Sequence, residues 1–338
     1  MSRALRRRRA FLFRLMGVLL PTTAGAAIAS WYLAHRPLYL EEVVSGGLPA
    51  TRHRFLYDEL LGWKNIPRWR STTFGQPLTI NALGLRGREV LRRKPPGTRR
   101  LLILGDSFAW GYGVADDDVF AAVLERQFQA AGKPWEVLNA GVLGWGTDQQ
   151  YLFLKRDGYE FGPDIVVVAF FLLNDPINNV TTGHVNWSKP VFLDSSLRDL
   201  MHVPCPKPGS GATPVWNQVD PLEMTLALLR AIAEDCRRHN CTVVVMKFGG
   251  YLDTGPTIPW LPDNRPYEAI EAEFLEGLRS LAEKQRGLHV LDLDRAFAER
   301  GLTEQDVHSA QTSHWTPRGH AATATILREF LEQQRLVP

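Results

Sequence analysis

Apolar residues in this chain fall into short runs separated by stretches of helical spacing. Residues 100–104 (RLLIL) form one compact run, which stops at Gly105. Residues 164–173 (DIVVVAFFLL) are almost wholly apolar, as expected of a strand covered on both faces. Shorter strand candidates lie at 135–138, 242–248 and 288–293. Between them, apolar positions recur at helical spacing over 119–131, 222–239 and 267–285, and a last helix is predicted from near Pro317. This alternation predicts a parallel sheet with helices on both faces, that is, a three-layer α/β domain. Residues 37–98 have weak periodicity and frequent turn signals, and form an N-terminal extension ahead of a main domain at 99–338. A stretch rich in Pro, Gly, Asn and Ser at 176–221 is predicted to be an insertion within that domain.

Another apolar run, at 15–34, has a different character. It is long enough to span a bilayer, and it follows Arg3, Arg6, Arg7, Arg8, Arg9 and Arg14 with no acid among them. Arginines before the span and Trp31 and Tyr32 at its far end predict a single-pass N-terminal transmembrane helix within residues 1–36. The main domain would then lie outside a bacterial inner membrane. A cleaved signal peptide is the second reading, with small residues at Ala24-Gly25-Ala26 or Ala27-Ile28-Ala29. A buried or unstructured N-terminal helix is the bland one.

Charge supports the topological reading. The chain's 338 residues carry a formal net charge of +3, fewer charges than those six arginines supply, so the body is mildly acidic. Nothing in it resembles a nucleic-acid footprint. Three cysteines, Cys205, Cys236 and Cys241, allow one disulfide without choosing the pair. No Cys/His spacing suggests zinc, and no cofactor or metal is expected.

In parallel sheets, ligands bind beyond the carboxyl ends of the strands. Polar residues collect there: Gly105-Asp106-Ser107 after the first strand, Asn139-Ala140-Gly141 after the second and Asn174-Asp175 after the third. Ser107, between a buried strand and a helix, can expose a hydroxyl at the sheet edge, although a serine there is as readily part of a turn or helix cap. Taken together and in order, the blocks resemble the SGNH (GDSL-type) hydrolases over about residues 100–331. Leu104-Gly105-Asp106-Ser107 matches the first block, Asn139 to Gly144 the N-x-x-x-x-G block and Leu172-Leu173-Asn174-Asp175 the G-x-N-D block. His314-Trp315-Thr316-Pro317-Arg318-Gly319-His320 matches the histidine block.

The resemblance implies a flavodoxin-like fold and no cofactor. It makes Ser107 the nucleophile, His314 the general base, and Ser107 N–H, Gly144 N–H and the Asn174 amide the oxyanion donors. The bland readings are a turn glycine, a helix cap and a packed ring. His320 is expected to pack within the last helix. Two positions depart from the pattern. Leu172 stands where the third block has glycine. Thr312 and Gln311 stand where the family has the aspartate that orients the histidine, which leaves a backbone carbonyl, Gln311 or Asp306 to do so.

LLGWKNIP and INALGLRG are similar to stretches that precede the G-D-S strand in anchored or exported members. Trp63, Trp69, Asn81 and Arg86 there are expected to pack rather than to frame a groove. Asn178, Asn179, His184 and Trp187 are expected at a lid or substrate wall. The implied activity is ester hydrolysis or acyl transfer, with an acyl ester on an envelope or secreted glycan as the expected substrate. The alternative is a binding or scaffold module that has lost its chemistry.

Overall fold

A computed structural model describes residues 39–44, 51–184, 187–202, 216–249 and 265–337. The apolar run at 15–34 and Cys205 lie outside them. Among the described residues no helix is long and apolar enough to cross a membrane.

The extension holds five strands: β1 (Tyr39–Val44), β2 (Thr51–Asp58), β3 (Gly62–Asn65), β4 (Trp69–Thr73) and β5 (Gln76–Ile80). They form a β1-β2-β3 sheet and a β4-β5 hairpin. In the main domain come β6 (Arg99–Gly105), α1 (Ser107–Trp110), α2 (Phe120–Ala130), β7 (Trp135–Asn139), α3 (Thr147–Arg156), β8 (Ile165–Phe171) and α4 (Asp175–Val180). Two small pairings follow, β9 (Gly183–His184) with β10 (Trp187–Ser188) and β11 (Val191–Phe192) with β12 (Leu200–Met201). The chain ends with α5 (Pro221–Arg238), β13 (Thr242–Phe248), α6 (Tyr267–Lys284), β14 (Leu288–Asp292), α7 (Leu293–Glu299), α8 (Glu304–Val307) and α9 (Pro317–Gln333).

The main sheet is parallel, in the order β14-β13-β8-β6-β7. Every residue of β8 is buried, as its continuous apolar run requires. Side chains alternate between two cores. Val166, Val168 and Phe170 pack on one face with residues of α3, α5 and α6. Val167, Ala169 and Phe171 pack on the other with residues of α2, α7 and α9.

Strand order reverses at β6, with β7 added on one side and β8 on the other. Loops after β6 and β8 therefore diverge at a switch point, where such sheets open a crevice. The sequence reading missed α3, whose first turn is polar but fully buried. It also underestimated the extension, where β2 (TRHRFLYD) mixes polar and apolar residues without a clear period and β3, β4 and β5 are only four or five residues long.

Candidate active site

The polypeptide turns sharply after β6. Asp106 caps α1 by accepting the Phe108 N–H at 2.9 Å, and α1 ends at Gly111 in a left-handed conformation, φ 85°. The β7 loop presses on this turn: a Cβ on Gly141 would lie 2.5 Å from Trp110 N, so only glycine fits. Ser107, 9% exposed, opens the helix, where its N–H has no acceptor within the helix.

Across the crevice, the segment between α8 and α9 carries His314. Its Nε2 lies 2.7 Å from Ser107 Oγ. Its Nδ1 lies 2.5 Å from the carbonyl oxygen of Thr312. A carbonyl can only accept, so Nδ1 carries the proton and Nε2 offers its lone pair to the Ser107 hydroxyl. The ring is held between Phe108 (centroids 4.6 Å apart, 28° between planes) and Tyr112 (4.5 Å, 39°). Of the three candidates for the orienting group, the backbone carbonyl occupies the position. Asp306 instead closes the N-terminal cap of α8 with Thr303 and pairs with Arg318 at 2.6 Å. Gln311 is exposed.

Asn174 Nδ2 donates to Asp106 Oδ2 at 3.0 Å, which brings the third block against the first. An amide nitrogen has two hydrogens, so this bond leaves Nδ2 a second one to donate. Burial raises the Asp106 carboxyl to about 6, against the stabilising bonds from Phe108 N–H and Asn174. Asp175 is pushed up as well, by its own burial and by the charge of Asp106. His308, packed edge-on to Phe108, is lowered to about 4 by burial and by His314, so it stays neutral at neutral pH. Gly144, φ 70°, sits in the β7–α3 loop between Leu143 and Trp145, both of which are anchored to Trp63.

Several other expectations resolve into packing. Trp63, Asn81 and Arg86 are buried and hydrogen-bonded within the protein, and Trp69 is partly buried against the core. Trp187 does not line a wall: it is buried 5.2 Å from both Phe55 and Trp63. Asn179 is likewise internal, accepting from Asp148 N and donating to Thr225. Both are large or polar groups that the extension and α3 cover, a tertiary fact with no local sequence signal. His320 is buried in α9 and accepts the Phe120 N–H at 3.2 Å, capping α2. Cys236 and Cys241 are buried free thiols. Among the described residues, the acidic cluster close enough to share a cation is Glu271, Asp292 and Asp294. Lys247 already pairs with all three.

Phe108 and Tyr112 were not identified as site groups from sequence, which offered a backbone carbonyl behind His314 without assigning it to Thr312. The aromatic pair carries a weak signal, since Phe108 adjoins the serine. A backbone carbonyl carries none.

Residues 103–322 match the GDSL-like lipase/acylhydrolase family, and the chain belongs to that family of hydrolases. No curated protein matches it closely enough to count. Solved structures that resemble it include a lipase/acylhydrolase from Enterococcus faecalis (18% identity, TM-score 0.46, 70% of this chain and 97% of that one). An acetylxylan esterase from Geobacillus stearothermophilus also resembles it (16% identity, TM-score 0.44, 70% and 93%). So does the esterase EstA from a Pseudoalteromonas species (13% identity, TM-score 0.46, 70% and 98%).

Proposed function

We propose that this hydrolase cleaves or transfers an acyl group through an acyl-serine on Ser107. The observation that carries the proposal is the 2.7 Å contact from His314 Nε2 to Ser107 Oγ, with Nδ1 committed to the Thr312 carbonyl. In this reading Oγ attacks the ester carbonyl carbon while its proton passes to Nε2. The tetrahedral oxyanion is received by the N–H groups of Ser107 and Gly144 and by the Asn174 amide. As the intermediate collapses, His314 returns the proton to the leaving alcohol oxygen. Water or an acceptor hydroxyl then repeats the sequence on the acyl-serine, activated by the same histidine, and restores Ser107.

The site needs no cofactor for these steps. We further propose an outward-facing, membrane-tethered enzyme acting on acyl esters of envelope or secreted glycan. The arginine block ahead of residues 15–34 supports this reading.

A fluorophosphonate probe tests the chemistry. Wild-type protein is expected to be labelled at Ser107, Ser107→Ala not at all, and His314→Ala orders of magnitude more slowly. Asn174→Ala should lower turnover by roughly 10²–10³, the usual cost of one oxyanion donor. Folded wild-type protein that resists the probe would instead indicate a binding module.

A further inference from the structure

Two stretches of the extension, around Trp63 and Arg86, remain outside the chemistry above. Both make hydrogen bonds to main-chain carbonyls of the catalytic loops. Trp63 Nε1 donates to Leu143 O at 2.7 Å, and Trp63 O accepts from Trp145 Nε1 at 2.9 Å. One buried residue thus grips both neighbours of Gly144, which itself needs the left-handed φ of 70°. Gln149, at the start of α3, donates to Leu61 O at 2.6 Å and ties the same segment to the far side of that loop. Asn65, in the same strand as Trp63, links the two loops. It donates to Gly141 O at 3.2 Å and accepts from Trp110 Nε1 at 3.0 Å.

Arg86 does the same for the turn after the nucleophile. Its guanidinium donates to Trp110 O, to Gly111 O at 2.5 Å and to Val114 O at 2.7 Å, while Nε pairs with Asp116 at 3.1 Å. Its own N–H donates to Asn139 O at 2.9 Å, at the end of β7. Between these anchors, Thr73 Oγ1 accepts the Gly113 N–H at 3.0 Å, and Phe74 packs edge-on to Tyr112 at 5.0 Å. Tyr112 is one of the two rings that hold His314.

We propose that Trp63 and Arg86 are positioning residues, which hold the Gly144 loop and the Ser107–Tyr112 turn in the geometry the reaction requires. This role rests on the catalytic reading given above. Packing alone would be satisfied by any buried ring at position 63 and does not call for paired bonds on either side of Gly144. Oxyanion donors act through preorganisation, and a displacement of about 1 Å can cost on the order of 10²-fold in rate.

Trp63→Phe keeps a ring and removes the indole N–H, and Arg86→Lys keeps a charge opposite Asp116 but loses the fork. Each is expected to lower kcat on p-nitrophenyl acetate roughly 10- to 100-fold with KM little changed. Affinity for phenylboronate, which forms a tetrahedral adduct on the serine, should fall by the same factor. A rise in KM alone, or unchanged kcat and boronate affinity in a folded variant, overturns the positioning role. Where Trp63→Phe fails to fold, Trp145→Phe removes the reciprocal bond and carries the same expectation. Wild-type protein inert to both ester and boronate would overturn the catalytic reading itself.

Discussion

At the scale of single residues, the absence of an aspartate behind His314 is the main departure from the family pattern. Loss of that carboxylate in a serine protease costs about 10⁴ in turnover, because the imidazole then adopts the wrong tautomer. Here the tautomer is set by the Thr312 carbonyl at 2.5 Å, and the ring plane by Phe108 and Tyr112. The Thr312 hydroxyl oxygen, for its part, accepts the His314 backbone N–H at 3.3 Å and does not serve the ring. Thr312→Asp is therefore expected to give no gain in kcat/KM on an aryl ester. A clear gain would mean that the carbonyl leaves the histidine poorly oriented. Asp306→Ala, in contrast, should leave kcat/KM unchanged, since its carboxylate serves the cap of α8 and not the His314 ring.

Among the elements, the extension matters most, because β3, the β4–β5 hairpin and the segment after β5 that holds Arg86 carry the residues that grip the catalytic loops. Gly62 begins β3 with φ 74°, and a Cβ there would lie 2.6 Å from Lys189 Cβ and 2.8 Å from Ser188 O. Close approach brings the insertion down onto the extension at a buried ion pair between Lys189 and Asp148. Burial leaves that lysine lowered and that aspartate raised, their mutual attraction offsetting only part of each shift. Gly62→Ala is expected to destabilise the protein by about 1–3 kcal/mol, from overpacking and left-handed backbone strain together. Urea unfolding of the variant measures this, and an unchanged midpoint would show that β3 yields without strain.

For the whole molecule, the parallel sheet places every predicted strand end on one side, where Ser107, Asn174 and His314 converge from three separate segments. The family match over residues 103–322 stops short of the extension, yet the extension buries Phe55, Trp63 and Ile80 in the main core. The catalytic domain and extension thus share one hydrophobic interior. Topology is a separate question, carried by the arginines before residues 15–34. A reporter active only outside the cytoplasm, fused at Leu40, is expected to be active, with the protein recovered in the membrane fraction. An inactive fusion would remove the basis for an outward-facing enzyme.

Sequence alone determined what is local or periodic. The β13 strand at Thr242–Phe248 falls where its apolar run predicts, and β6, β7, β8 and the long helices agree within a residue or two. The four blocks could be read because each pairs a strand end with a residue type that has specific chemistry. Tertiary structure decided the rest. The Thr312 carbonyl is a group every residue possesses, so no pattern distinguishes it until the chain is folded. Trp63 and Arg86 act over separations of 80 and 28 residues, on Leu143 O and Val114 O, through backbone atoms that leave no mark on the sequence they contact. Side-chain periodicity reports which face of an element is buried, but only the fold determines which buried group meets which carbonyl.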